Sequence, residues 1–208
     1  MYSPPHNRPE DAQQVAAFMR EFPFAALVTP GEDGMTATHL PLNLSEGCDS
    51  LIITGHVAKA NRQWEDLASG REAMAIFSGP HAYVSPTHYQ PGQWVPTWNY
   101  VAVHAYGTPA LVEDREGKLA VLRQTIAATE PGFQQTLDAL PPEFVDAKLK
   151  GIVAFEIAVT RTEARFKLSQ DRHEDERERI SLALRLSGDE SAERLSAYME
   201  RHAPVVAR

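Results

Sequence analysis

Hydrophobic residues near the start of the chain follow a helical period and then an extended one. Four apolar side chains recur at the spacing of one helix face: Val15, Phe18, Met19 and Phe22. This spacing predicts an opening helix that ends at Pro23. The apolar run 24–29 predicts a buried strand, the segment 30–34 predicts a turn, and 35–44 predicts the return strand.

Short extended segments continue along the chain with few helices between them. They cover 51–56, 73–78 with a continuation at 81–85, 97–112 with a break at 107–109, 151–157 and 164–169. Because Gly79 and Pro80 interrupt the second of these segments, we expect a bulge or a sharp corner there. Six or seven short strands of this kind predict a small antiparallel barrel and not a doubly wound parallel sheet.

Helical spacing returns at the edges of this β pattern. Asn61 is a predicted N-cap for a short helix that carries Trp64, Leu67 and Ala68 inward. The segment 114–128 predicts a helix with Leu119, Leu122 and Ile126 as its buried stripe, and a second short helix follows Pro141-Pro142. From Arg172 onward the chain reads as helical, with a break at 187–189.

The predicted fold class is therefore mainly β with peripheral helices (α+β). We expect one antiparallel barrel domain over 1–170 and a helical C-terminal appendage over 171–208.

Composition and net charge limit the kinds of partner that the protein is expected to bind. The chain carries 28 acidic and 20 basic residues, a formal net charge of −8, which repels nucleic acid at long range. Cys48 is the single cysteine, so neither an internal disulfide nor a Cys-x-x-Cys pair forms. The sequence shows no apolar signal segment and no membrane span, which predicts a soluble, cytoplasmic protein.

The densest group of chemistry-bearing residues lies in the segments 79–85 and 95–104. In strand alternation Trp98, Tyr100 and His104 share one face, and so do His81, Tyr83 and Ser85. Two such walls suit a planar ligand with polar edges, because rings stack on rings while donors fix the orientation. The alternative is ordinary cross-strand aromatic packing, which is common in sheets.

A second group occupies 54–62, where a predicted strand ends, Lys59 and Arg62 appear, and a helix begins. Backbone N–H groups at a helix start beside cations are typical of phosphate sites, although a solvated loop with surface charges is the alternative. A third group, Lys167 and Ser169, shares one face at the end of the last strand. The Gly-rich nucleotide-binding signatures are absent from the sequence, as are metal-binding His or Cys spacings and a GxSxG serine motif.

Nine short segments, in order, resemble the PaiB-like FMN-binding negative transcriptional regulators. They are 1–4, 37–42, 54–56, 61–64, 79–85, 95–100, 103–107, 149–153 and 167–170. The resemblance implies an FMN-binding split barrel that assembles as a homodimer, with flavin sites near the subunit interface. Asp171 departs from the asparagine common in the family, which weakens any phosphate contact at that position.

Carried over residue by residue, the resemblance and the phosphate pattern give twelve candidate FMN-binding residues. They are His39, His56, Lys59, Asn61, Arg62, His81, Tyr83, Trp98, Asn99, His104, Lys167 and Ser169.

The resemblance implies a repressor of transcription. DNA binding is possible by the same resemblance, but the acidic charge and the lack of a basic reading helix argue against direct contact. The alternative is an FMN-dependent oxidoreductase, similar to flavin reductases or pyridoxamine-phosphate oxidases, and a weaker one is a haem-binding relative. The sequence assigns no catalytic residue, although His81 and His104 are the first candidates for an acid or base.

Overall fold

The structure is a computed structural model that describes residues 1–48, 50–92 and 94–202. Its contacts divide the chain into two compact units, each built from separate stretches of sequence. The first unit contains 1–15, 78–103 and the chain from 163 onward, and the second contains 16–77 and 104–162. The expected boundary at residue 170 stays a prediction.

Strands and helices follow the predicted order, and the antiparallel α+β class is confirmed. The described strands are β1 Phe24–Pro30, β2 Met35–Pro41, β3 Asn43–Glu46, β4 Leu51–Ala58, β5 Ala73–Val84, β6 Thr97–Gly107, β7 Pro109–Val112, β8 Ile152–Ala158 and β9 Arg161–Lys167. The described helices are α1 Ala12–Glu21, α2 Gln63–Leu67, α3 Arg115–Thr129, α4 Phe133–Ala139, α5 Pro142–Lys150, α6 Glu174–Arg185 and α7 Glu190–Arg201.

The second unit is built around antiparallel pairs. β1 pairs with β2 over its whole length, from Phe24 opposite Pro41 to Pro30 opposite Met35, and also pairs with the start of β5. A four-stranded sheet follows the order β3-β4-β8-β7. Its inner face buries Ile53, Phe155 and Ile157, each at most 1% exposed. Apolar residues at alternate positions thus form a core, as the sequence pattern predicts.

The predicted return strand 35–44 is wrong in one respect, because it is two strands. β2 ends at Pro41 and β3 begins at Asn43, in a different sheet. Between them Leu42 is 1% exposed, and its N–H donates to the Pro23 carbonyl at 2.9 Å. That bond replaces a ladder bond, so the chain leaves one sheet for the other at this residue.

The first unit contains the end of β5 and the beginning of β6, with strand order β5-β6-β9, and the helices α6 and α7. Gly188, at φ 72°, separates the two helices, which confirms the predicted break. The helix pair buries apolar side chains at helical spacing: Ile180, Leu184, Leu195, Tyr198 and Met199.

The expected irregularity at Gly79-Pro80 does not interrupt β5, which runs through both residues. The buried face changes parity there, from Ala75 and Phe77 to Ala82 and Val84, which is the effect that one extra residue in a bulge has on a strand. The outward face changes with it, so that odd-numbered residues point outward in the second half of the strand. This shift places His81 and Tyr83 on the exposed side.

Two predicted helix faces are wrong in part, although Leu67 is buried as predicted. In α2 the buried residues are Gln63 and Leu67, whereas Ala68 is exposed. The Gln63 amide is buried because it donates to the Leu27 carbonyl at 2.9 Å. In α3 the buried residue is Val121, and the predicted stripe Leu119, Leu122 and Ile126 is only half-buried. Helix α4 was not predicted.

Candidate functional site

Three aromatic side chains form an exposed group in the first unit, which we call the ring surface: His81, Tyr83 and Trp98. The Trp98 ring centroid lies 6.2 Å from that of His81 and 6.2 Å from that of Tyr83, edge-on to the latter at 74°. Tyr83 is 51% and Trp98 54% exposed. The ring surface arises because Ala82 and Val84 turn inward on the same strand. Of the two walls predicted from alternation, Trp98 of one and His81 and Tyr83 of the other therefore meet here.

Two cations of the same unit contact other residues of β6. The Arg165 guanidinium is 5.5 Å from the Tyr100 ring centroid, and Nη1 donates to the Tyr2 carbonyl at 3.3 Å. Lys167 donates from Nζ to Thr97 Oγ1. Burial, reinforced by the positive charge of Arg165, lowers the pKa of the Lys167 amine.

Asn99 and Ser169 also lie together, but inside the protein. Asn99 is 0% exposed and its Nδ2 donates to Ser169 Oγ at 2.8 Å, while Ser169 Oγ donates back to Asn99 Oδ1 at 3.2 Å. Ser169 has a left-handed backbone, φ 60°, which turns the chain after β9. Their role as cofactor contacts stays a prediction, and in this structure each satisfies the other.

In the second unit, His56 and Lys59 lie along and just after β4. His56 is half-buried, and burial lowers the pKa of its imidazole, so the neutral form dominates at pH 7. Its ring makes no hydrogen bond with any residue in the described part of the chain. Lys59 is exposed and forms no ion pair among the described residues. Both side chains are therefore available to a ligand.

Asn61 and Arg62 are already engaged. Asn61 Nδ2 donates to Thr38 Oγ1 at 2.9 Å, and its Oδ1 accepts from the Gln63 N–H at 3.1 Å. The predicted N-cap is wrong, because Arg62 occupies the position before α2 and makes no side-chain capping bond. Arg62 is exposed and pairs with Glu65 at 2.8 Å, and this hydrogen bond raises the pKa of Arg62.

The two remaining candidate histidines of the second unit lie on different strands. His39 is exposed on β2, with its ring stacked 6.3 Å from Phe24. His104 is half-buried on β6, 6.4 Å from the Tyr106 ring, and burial lowers the pKa of its imidazole.

Sequence reasoning missed one contact that holds the ring surface. Ser191 Oγ, on α7, accepts from the His81 N–H at 3.0 Å and donates to the His81 carbonyl at 2.8 Å. These backbone groups would otherwise lack a neighbour on that side of β5. No local signal marks Ser191, because 110 residues separate it from His81.

Residues 1–48, 50–92 and 94–202 contain neither a metal-binding cluster nor a membrane-spanning helix. Within these ranges no cluster of three His, Cys, Asp or Glu side chains could hold a metal ion. In the same part of the chain no helix is both long and apolar enough to cross a membrane.

Comparison with solved structures shows the fold. The flavocytochrome Anf3 of Azotobacter vinelandii aligns with a TM-score of 0.60 at 16% identity, covering 76% of this chain and 68% of that one. The FAD and haem binding protein of Mycobacterium smegmatis aligns with a TM-score of 0.57 at 15% identity, covering 76% and 72%. The predicted split-barrel fold is confirmed.

Comparison with sequences shows the family. The family model described as "Putative FMN-binding domain" matches residues 1–161. The "Protease synthase and sporulation protein PAI 2" of Bacillus subtilis is 34% identical over 202 residues, covering 96% of this chain and 97% of that protein. The chain therefore belongs to the PaiB-like FMN-binding family, with FMN as its cofactor.

Proposed function

We propose that this chain is an FMN-binding negative transcriptional regulator of the PaiB type that works as a cytoplasmic homodimer. The observation that carries the proposal is the end-to-end similarity to the Bacillus subtilis protein, 34% over 96% of the chain. Such similarity extends beyond the residues 1–161 of the FMN-binding family and includes the C-terminal helices.

The ring surface fits one part of FMN. An isoalloxazine is planar and aromatic, and Tyr83 and Trp98 offer it half-exposed rings of the same kind. His81 adds a polar group at the edge of this surface. We therefore propose that these three side chains bind and orient the flavin ring, which supplies electron transfer when it is bound.

His56 and Lys59 are the proposed flavin contacts of the second unit. A neutral imidazole without an internal partner is free to donate to or accept from a polar edge of a flavin. An exposed ammonium without an ion pair suits a phosphate. Arg62, which is held by Glu65, is the weaker phosphate candidate.

The C-terminal helices favour regulation without direct DNA contact. Their exposed cations are paired internally: Arg179 with Asp175 at 3.0 Å, Arg194 with Glu190 at 3.1 Å, and Arg185 with Glu200 at 3.4 Å. Paired cations release few counterions from DNA, and the net charge of −8 adds repulsion. We propose that the flavin, through a protein partner, carries the regulatory signal.

An FMN-dependent oxidoreductase is the second candidate function. The observation that favours it is the presence of two half-buried imidazoles, His56 and His104, because burial lowers their pKa and a neutral imidazole can accept a proton. A flavin held near either group has a proton donor or acceptor available.

Three measurements on the purified full chain test the main proposal. Gel filtration with light scattering should give a dimer that retains flavin absorption bands, whereas a Soret band would indicate haem. A mobility-shift titration with upstream DNA at two salt concentrations should show no direct binding, and binding that weakens steeply with salt would refute indirect regulation. Steady NADH or NADPH oxidation with a turnover above that of free FMN would favour the oxidoreductase.

A further inference from the structure

One guanidinium in the first unit has no hydrogen-bonding partner. The Arg172 guanidinium carbon lies 4.3 Å from the Tyr89 ring centroid and 4.4 Å from that of Trp94, in the angle between two rings that meet edge to face at 72°. It forms neither an ion pair nor a hydrogen bond with any of the described residues. The rings thus fix its plane and leave its N–H groups unused.

A second unused donor lies beside it. Tyr89 is 7% exposed, and its hydroxyl oxygen is buried without a hydrogen-bond partner in the described part of the chain. Burial raises the pKa of Tyr89, so the hydroxyl keeps its proton. A buried phenol usually has a partner, and this one therefore indicates a ligand atom.

The segment that carries these rings is held firmly. The Gln90 N–H donates to Glu176 Oε1 at 2.7 Å, and Arg179 Nε donates to the His88 carbonyl at 2.9 Å. Trp94 Nε1 donates to the Gln90 carbonyl at 2.7 Å. The first two bonds attach the segment to α6, and the third fixes Trp94 against Gln90, so both rings are positioned without a ligand.

Positive charge is in excess around Arg172. The Lys167 ammonium is repelled by Arg165 and Arg172, and among the described carboxylates it is attracted by Asp171. Two carboxylates interact with Tyr89, namely Asp171 and Glu176, and Glu176 is 2% exposed and occupied by the Gln90 N–H. These groups together are three cations and two carboxylates, the exposed Asp171 and the buried Glu176.

We propose that Arg172 and Tyr89, with Lys167 beside them, form a binding site for an anionic group, either a phosphate or a carboxylate. The guanidinium edge offers a planar pair of donors, the form that recognises such oxygens. The hydroxyl of Tyr89 supplies a third donor. Two sources supply this chemistry: the phosphate of FMN itself, which rests on the proposed function, or a separate small anion that acts as an effector.

Binding titrations with three ligands distinguish the FMN phosphate from a separate small anion. Binding of FMN, of riboflavin and of inorganic phosphate is measured calorimetrically in chloride buffer for the wild type, Arg172→Gln and Tyr89→Phe. If the site takes the flavin phosphate, Arg172→Gln weakens FMN by about tenfold and leaves riboflavin unchanged. If it takes a separate anion, FMN affinity is unchanged and phosphate binding to the flavin-loaded protein is lost.

Arg194→Gln is the control, because Arg194 is an exposed cation of the same unit, paired with Glu190. It should change none of the three affinities. Tyr89→Phe removes one hydroxyl and keeps the ring that contacts Arg172, so it tests the site even if Arg172→Gln folds poorly. Unchanged FMN and phosphate binding in both variants would overturn the inference, as would an equal loss of FMN and riboflavin. Failure of the wild type to bind either flavin would instead count against the proposed function.

Discussion

Two neighbouring residues of β6 lie in opposite environments although they belong to the same sequence motif. Trp98 is 54% exposed on the ring surface, whereas Asn99 is 0% exposed and hydrogen-bonded to Ser169. Alternation along the strand separates them, since adjacent side chains point to opposite faces. A single motif in this protein therefore combines an exposed ring, for which we propose flavin binding, with a buried hydrogen-bonded pair that stabilises the fold.

The difference extends to the neighbours of each residue. Around Trp98 the contacts are the rings of His81 and Tyr83, and more than half of the Trp98 side chain stays exposed. Around Asn99 they are the Ser169 hydroxyl and the Met199 sulfur, 3.7 Å from Nδ2. Substitution on the outward face should change binding, and substitution on the inward face should change stability.

The largest expected effect is on the inward face. Asn99→Ala should lower the free energy of unfolding by about 2 kcal/mol. The substitution removes two hydrogen bonds, leaves the buried Ser169 hydroxyl without a partner and creates a small cavity. Urea unfolding followed by circular dichroism measures the change.

Asn43→Ala is the matched control for this loss. Asn43 makes the same amide-to-hydroxyl bond, to Thr125 at 2.9 Å, but in a half-buried position. Water replaces a bond lost there, so the cost should be smaller, about 0.5–1 kcal/mol. Equal losses in the two variants would mean that burial of the Asn99 pair contributes nothing.

The next effect belongs to the outward face. Trp98→Ala should weaken FMN binding by about tenfold, since a stacked ring contributes on the order of 1 kcal/mol beyond the apolar area it covers. The free energy of unfolding should change by less than about 0.5 kcal/mol, as at most exposed positions. Flavin fluorescence quenching gives the affinity.

Phe133→Ala provides the comparison for Trp98→Ala. Phe133 is an exposed aromatic residue, 37% accessible, at the start of α4 in the second unit and outside every candidate group. Its removal should leave FMN affinity unchanged. A large stability loss in Trp98→Ala without any loss of affinity would reverse the roles assigned to the two faces.

Local patterns predicted much of this arrangement. Alternation in β6 separated Trp98 and Tyr100 from their neighbours, and the helix break at 187–189 followed from Gly188. Both signals act over a few residues, where periodicity and backbone freedom decide the structure. The split barrel and FMN came from the resemblance to a family, and not from these patterns.

Long-range contacts could not be predicted in the same way. The bonds from Ser191 to His81 and the stacking of Arg172 on Tyr89 join residues far apart in sequence. Burial of Asn99 was equally hidden, because its partner Ser169 lies 70 residues away. Alternation predicts that two adjacent side chains point to opposite faces of a strand. Which of the two faces is buried depends on the other elements that pack against it.

The smallest effect concerns His56, which lies between the two extremes because it is half-buried and unpartnered in the described structure. Burial lowers its pKa in the folded protein below 6.5, so at acidic pH the unfolded chain binds the additional proton. Its contribution to stability is therefore complete above pH 6.5 and is lost as the pH falls through the folded-state pKa.

Urea unfolding between pH 5 and 8 measures this effect. The free energy of unfolding should fall less steeply with decreasing pH for His56→Gln than for the wild type. Part of the slope should remain from His104, whose pKa is also lowered by burial. Parallel slopes for the wild type and His56→Gln would place His56 with the fully exposed residues and remove the reason for treating it as a desolvated flavin contact.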